Sequence, residues 1–215
     1  MIKNIVFDMG NVLIRWDPDR IIEDTAGVMP AGKQLTAADK ALLKRKVFSD
    51  WEWCALDRGT FTPEEGFELM KKKLPEHLHP AAYYCIVQWW TKSLYPMEGM
   101  ETVVRQLYEA GKKIYLLSNA TSALHTYFDR IPGSQYFCAK VVSADEGLTK
   151  PQPEIYQRLL ERFDLKPEEC CFIDDNPANI EAAVDCCGMY GIVFQDDIPD
   201  LYRQLAALEE RHNEA

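Results

Sequence analysis

Four short stretches of this 215-residue chain carry residue types that could do chemistry together. The first is Ile5-Val6-Phe7-Asp8-Met9-Gly10-Asn11, an apolar run that ends in a carboxylate and then in residues that let a backbone turn. Such a run reads as a central parallel strand covered on both faces. In open α/β sheets the ligand crevice lies outside the carboxyl ends of the strands, so Asp8 is placed as a nucleophile or a metal ligand. It could equally cap a turn. The other three stretches are Leu116-Leu117-Ser118-Asn119, Thr149-Lys150-Pro151 and Phe172-Ile173-Asp174-Asp175-Asn176. In chain order the four supply a carboxylate, a hydroxyl with backbone N–H groups, a cation and a pair of acids. Singly, Lys150 reads as a solvated loop residue and Asp174-Asp175-Asn176-Pro177 as a helix cap. Together they converge on one edge of one sheet.

This order and spacing resembles the haloacid dehalogenase (HAD) superfamily. Asp8-Met9-Gly10-Asn11-Val12 is similar to the opening of its small sugar-phosphate phosphatases of the alpha-D-glucose-1-phosphate phosphatase type. The resemblance covers nearly the whole chain. It implies an α/β fold, with a doubly wound, Rossmann-like parallel sheet core and a small inserted helical-bundle cap. It also implies a phosphoric monoester hydrolase that forms an aspartyl-phosphate on Asp8. Lys150 would bridge nucleophile and phosphate, while the Ser118 hydroxyl and the Asn119 N–H bind the remaining oxygens. Mg²⁺ would be held by Asp8, the Gly10 carbonyl and Asp175, with Asp174 holding a metal-bound water. The chemistry is coherent, since phosphoryl transfer needs positioning and charge neutralisation, and Mg²⁺ favours a few carboxylates plus phosphate oxygens.

Gly10 departs from the commoner pattern, which has a second Asp there to protonate the leaving oxygen and later activate water. General acid–base help of about 10²- to 10⁴-fold is therefore missing at that position. Asp17 or a bound water could substitute. Otherwise the enzyme should favour a comparatively acidic leaving oxygen, such as the anomeric oxygen of a sugar 1-phosphate. Two rivals stay open. A 2-haloacid dehalogenase also lacks the second Asp, but works without metal and leaves Asp174-Asp175 idle. A regulatory, phosphate-binding protein could keep the fold and lose the chemistry.

The elements that position these residues follow from pattern. Asp17-Pro18 reads as an N-cap followed by Pro at the first helical position. Helices are expected over 36–47, 48–56, 62–73 and 80–90, with a break at Asp57-Arg58-Gly59 and a capping box at Thr62–Glu65. No strand-like alternation interrupts them, so 16–95 reads as the helical cap and 1–15 with 96–215 as the core. The cap segments expected to touch substrate are Trp51-Glu52-Trp53 and Asp57-Arg58-Gly59, with Arg58 reaching the ligand. Tryptophans more often fill a bundle core than line a pocket. Beyond Pro96, helices over 100–110, 121–130, 153–163, 177–187 and 201–211 alternate with strands over 113–117, 139–143, 170–173 and 191–194. That alternation means parallel βαβ units.

A net charge of −10 argues against a nucleic-acid surface. No apolar run approaches a membrane span, and the first residues lack a signal-peptide layout. Seven cysteines, without CxxC spacing, read as thiols in a reducing cytoplasm. The expected partner is a small phosphorylated metabolite, with no nucleic acid and no membrane; monomer or weak dimer is left open.

Overall fold

The apolar run before Asp8 is strand β1, Asn4–Phe7, with all four residues buried. It lies at the centre of a five-stranded sheet in a computed structural model that describes the backbone of residues 1–214 and the side chains of residues 1–210. The other strands are β2 (Lys113–Ser118), β3 (Phe137–Val142), β4 (Cys170–Asp174) and β5 (Tyr190–Val193). Their order is β3-β2-β1-β4-β5, and every pairing is parallel. The chain winds outward through β2 and β3, then returns to lay β4 against the other side of β1. The β1–β4 boundary is therefore a topological switch point, where a crevice opens at the carboxyl ends. Phe7 stands level with Leu116 of β2 and Ile173 of β4, so the residues after these three strands emerge side by side.

Side chains alternate between two cores, as the pleat demands. Ile5, Phe7, Leu116 and Ile173 face one way, against Met100, Val103 and Val104 of the Met100–Glu109 helix and Leu201 of the Ile198–Glu214 helix. Val6, Leu117 and Phe172 face the other way, against the Pro153–Arg162 and Pro177–Cys187 helices. The doubly wound α/β core expected from sequence is present. No helix of the described residues is long and apolar enough to cross a membrane. All seven cysteines are free thiols.

Between β1 and β2 the chain is helical, as its pattern indicates. Asp17 accepts hydrogen bonds from the Asp19 and Arg20 N–H groups, and Thr62 with Glu65 closes a capping box. The helix expected over 48–56 starts only at Trp51, because Asp50 is extended and caps the Trp51 N–H. The stretch 80–90 is a composite of α-, π- and 3₁₀-turns. The helix expected over 121–130 is α-helical only across Leu124–Tyr127, which leaves 119–121 as a loop over the sheet edge. The chain leaves and re-enters the core as a crossed pair: the Arg15 N–H donates to Tyr95 O and the Met97 N–H to Leu13 O, at 2.7 and 2.9 Å.

Cap and core are packed together. The first core runs without a break from Ile5 and Phe7 to Leu43, Val47, Leu56 and Met70 of the cap. A second contact lies at the end of β3, where the buried Ser143 hydroxyl donates to the Asp57 carbonyl and accepts the Ala120 N–H. Two residues on, Gly59 has φ +74°, and a Cβ there would overlap the backbone carbonyl of Ala144. Glycine permits both the left-handed turn and the close approach. Gly59→Ala should therefore lower stability by about 1–3 kcal/mol, the usual range for overpacking. It should be read as a reduced urea midpoint with an unchanged slope. An unchanged midpoint would mean that this contact is not held in solution.

Candidate active site

Asp8 follows β1 and Asp174 ends β4, and Lys150 reaches between them from the loop before the Pro153–Arg162 helix. The Lys150 Nζ lies 2.6 Å from Asp8 Oδ1 and 2.7 Å from Asp174 Oδ2, with its side chain only 1% exposed. The Asn119 side chain grips the Lys150 backbone at both ends: its Nδ2 donates to Lys150 O (3.0 Å), and its Oδ1 accepts the Lys150 N–H (2.8 Å). Asp174 also accepts from the Asn176 N–H at 2.8 Å and from Asn179 Nδ2 at 3.0 Å to both oxygens. Asp175 accepts from Asn11 Nδ2 at 2.9 Å. Asn11 in turn accepts the Trp16 N–H at 3.0 Å, and its own φ is +53°. The left-handed residue of the turn is thus Asn11, one position beyond Gly10.

Burial and then the Asp174 charge raise the Asp8 carboxyl, Lys150 opposes them, and the net value is about 7. Burial alone would depress Lys150, but Asp8 and Asp174 outweigh it and raise it above its ordinary value. Asp57, in the cap, is also pushed up to about 7, first by burial and then by the charge on Asp8.

These groups open onto a cavity of about 440 Å³. Asp8, Gly10, Asn119, Lys150 and Asp175 line it, as the sequence placed them. Ser118 is buried at the end of β2 and does not line it; the wall there is Asn119, Ala120 and Thr121. Arg58 is not brought to the cavity. It is exposed, and its guanidinium donates to Gln152 Oε1 at 2.8 Å. The preceding residue, Asp57, faces the cavity instead. Of the cap tryptophans, Trp53 lines the wall, while Trp51 is 59% exposed. Sequence reasoning missed Trp16, Ile86, Trp89 and Tyr127 on the wall. Trp16 packs on Trp53 and Trp89 at 5.5 and 4.9 Å between ring centroids. Asn11 and Asn179 were also missed; Asn179 lies five residues beyond the Asp174 it serves, whereas Asn11 reaches Asp175 from the far end of the chain.

Asp8, Asp174 and Asp175 each offer a carboxylate oxygen within 4.8 Å of the others. Lys150 touches the first two and Asp175 has a neutral amide partner, so three carboxylates share one ammonium. An oxygen-only set with excess negative charge fits a hard divalent cation such as Mg²⁺. Asp8 and Asp175 are the carboxylates of this set that line the cavity, and Gly10 lines it beside them. The acceptor sites of Asp174 are already filled by Lys150, Asn176 and Asn179, so a metal-bound water there would have to displace one of these bonds.

A family model of haloacid dehalogenase-like hydrolases matches residues 2–186. The chain is 26% identical over 197 residues to the sesquiterpene phosphatase astK of Aspergillus oryzae, covering 91% of each protein. It is 27% identical over 190 residues to the D-ribitol-5-phosphate phosphatase of Bacteroides thetaiotaomicron, covering 84% of this chain and 86% of that protein. The fold matches that of a HAD family enzyme from B. thetaiotaomicron, solved with magnesium and inorganic phosphate. There the TM-score is 0.70 and identity 22%, over 94% of this chain and 100% of the other. It also matches L-2-haloacid dehalogenase from Xanthobacter autotrophicus, with a TM-score of 0.62 and 18% identity over 89% and 76% of the two chains.

The raised Asp8 carboxyl has a consequence in metal-free protein. Between its ordinary value of 3.8 and about 7, folded Asp8 keeps a proton that the unfolded chain has released. Its contribution to stability is therefore fully present below 3.8 and is lost as pH rises to about 7. With chelator present, wild-type stability should fall relative to Asp8→Asn across that window. Parallel urea-derived stability curves for the two proteins would mean that Asp8 is ionised throughout.

Proposed function

We propose a function for a chain that belongs to the haloacid dehalogenase-like hydrolases: a Mg²⁺-dependent phosphatase of small phosphorylated metabolites, working through an aspartyl-phosphate on Asp8. The observation that carries this reading is the surplus of negative charge at the sheet edge, where Asp8, Asp174 and Asp175 meet a single Lys150. A dehalogenase needs the Asp and the Lys, but has no use for a third carboxylate that only a further cation would balance.

Asp8 attacks phosphorus, and the bond to the leaving oxygen breaks; water then attacks the phosphorus of the aspartyl-phosphate and frees Asp8. Lys150 keeps Asp8 oriented and lowers its carboxyl toward the ionised, nucleophilic form. Its ammonium also lies where it can meet a phosphate oxygen next to Asp8. Asn119 fixes Lys150 through its backbone, and Asn179 with the Asn176 N–H fixes Asp174. The Asn119 N–H, on the cavity wall, is assigned to another phosphate oxygen, whereas Ser118 is buried off that wall. Asp8, Asp175 and the Gly10 carbonyl would hold Mg²⁺, which would supply positive charge that lets a carboxylate approach a phosphate dianion.

For the rest of the substrate, the resemblance implied a sugar phosphate and Arg58 was expected to reach it, but Arg58 pairs with Gln152 instead. The wall made by Trp16, Trp53, Ile86 and Trp89 favours a second reading, a monoester with an apolar or planar body. The likeness to a sesquiterpene phosphatase supports the same direction. The free thiols suit the reducing cytoplasm, where we place the protein.

Phosphate release should be measured over sugar, aryl and prenyl phosphates, with and without Mg²⁺. Turnover should require Mg²⁺ and be lost in Asp8→Asn with melting behaviour kept. A variant retaining a tenth of wild-type activity, a loss of about 1.4 kcal/mol, would remove Asp8 as nucleophile. Mg²⁺ should also raise the melting temperature, as any ligand of the native state does. Asp175→Ala should abolish that rise; a rise of equal size in the variant would place the ion elsewhere.

A further inference from the structure

Gly10 supplies no carboxylate two residues past Asp8, and lack of space is not the reason. A Cβ there would lie 3.6 Å from Trp16 Cβ and 4.0 Å from Asp8 Oδ2, both ordinary contacts. Asp17, the substitute acid suggested by sequence, is occupied: its Oδ1 accepts the Asp19 and Arg20 N–H groups at 3.0 and 3.1 Å, and it does not line the cavity. Asp174 is saturated by Lys150, Asn176 and Asn179. Of the cavity-wall carboxylates, Asp8 is assigned as nucleophile and Asp175 to the metal, which leaves Asp57.

We propose that Asp57, delivered by the cap to the cavity onto which Asp8 opens, is the general acid and base of the reaction. Among the described residues it is the one charged side chain that the cap contributes to this wall, and its carboxylate accepts no hydrogen bond from the protein. A half-buried carboxylate left without a protein partner is costly unless a ligand or water completes it. Its backbone is nevertheless held firmly. The Asp57 carbonyl accepts from Ser143 Oγ, the same atom that accepts the Ala120 N–H, so one buried hydroxyl ties Asp57 to the 119–121 loop, which also lines the cavity. Gly59, pressed on the Ala144 carbonyl, keeps the cap close at that point. Burial and the charge on Asp8 push the Asp57 carboxyl up to about 7, which suits an acid that must be protonated near neutrality.

This inference rests on the phosphatase reading. As Asp8 attacks phosphorus and the bond to the leaving oxygen breaks, protonated Asp57 gives its proton to that oxygen and becomes a carboxylate. Asp57 then takes a proton from the water that attacks the aspartyl-phosphate, which releases inorganic phosphate and restores both acids.

The test is kcat/KM for aryl and alkyl phosphates of similar size, spanning a wide range of leaving-group pKa. Wild type should depend only weakly on the leaving group. Asp57→Asn should lose about 10²- to 10⁴-fold on alkyl phosphates. On nitrophenyl phosphate, whose leaving oxygen needs no proton, its loss should be under about tenfold, so the slope steepens. Asp57→Glu should recover part of the alkyl activity, and so should Gly10→Asp in the Asp57→Asn background. Asp57→Ser, checked by its melting curve, serves if the Asn variant fails to fold. An equal loss on every substrate, or no loss, would overturn the role of Asp57 while leaving the phosphatase reading intact. Absence of turnover by wild type on every phosphate with Mg²⁺ would remove the reading itself and Asp57 with it.

Discussion

The arrangement depends on a buried ammonium held between two buried carboxylates. A carboxylate taken out of water without a partner becomes neutral, and a neutral Asp8 is a poor nucleophile. Lys150 opposes this from one side, at 2.6 Å from Asp8 and 2.7 Å from Asp174. The cost of burying Lys150 is offset only because its geometry is fixed from several directions. Asn119 clamps its backbone, the Phe172 ring lies 5.2 Å beneath its Nζ, and Asn179 with the Asn176 N–H holds the far carboxylate. Asp8, Asn119 and Asp174 meet at one edge because β1, β2 and β4 are paired level with one another.

The cap completes what the core lacks. The core edge supplies charge, with three acids, one cation and amides to orient them, but offers little surface for the body of a substrate. Trp16, Trp53, Ile86 and Trp89 provide that surface, and Asp57 adds one carboxylate at its border. Cap and sheet share one apolar core, so separating them exposes hydrocarbon to water and the closed arrangement is favoured.

The charged half of the site was legible because it is written in local punctuation. Apolar runs ending in Asp8, Ser118 and Asp174 mark strand ends, and strand ends in a doubly wound sheet share an edge. The Pro177–Cys187 helix and its stop at Gly188 were equally plain, since Pro at the first turn and a left-handed glycine at the end are strong signals. The cap half was not legible. Adjacent helical residues point about 100° apart, so a one-residue difference in where the Trp51–Asp57 helix ends decides whether Asp57 or Arg58 faces the cavity. Helical spacing likewise gives an aromatic residue the same signature in a core and on a cavity wall, which hid Trp89 and Tyr127. The 80–90 stretch reads as one helix, yet its π-turn over Tyr84–Gln88 resets which side chains share a face.

The central claim is that Asp8 becomes covalently phosphorylated. The most direct measurement is a rapid acid quench within the first turnover of a phosphate-labelled aryl phosphate, followed by mapping of the label to a peptide. The label should lie on Asp8, acid-stable and lost on treatment with hydroxylamine, with none in Asp8→Asn. Turnover that proceeds with label on another residue, or on none while a burst of the aryl alcohol is released, would contradict it.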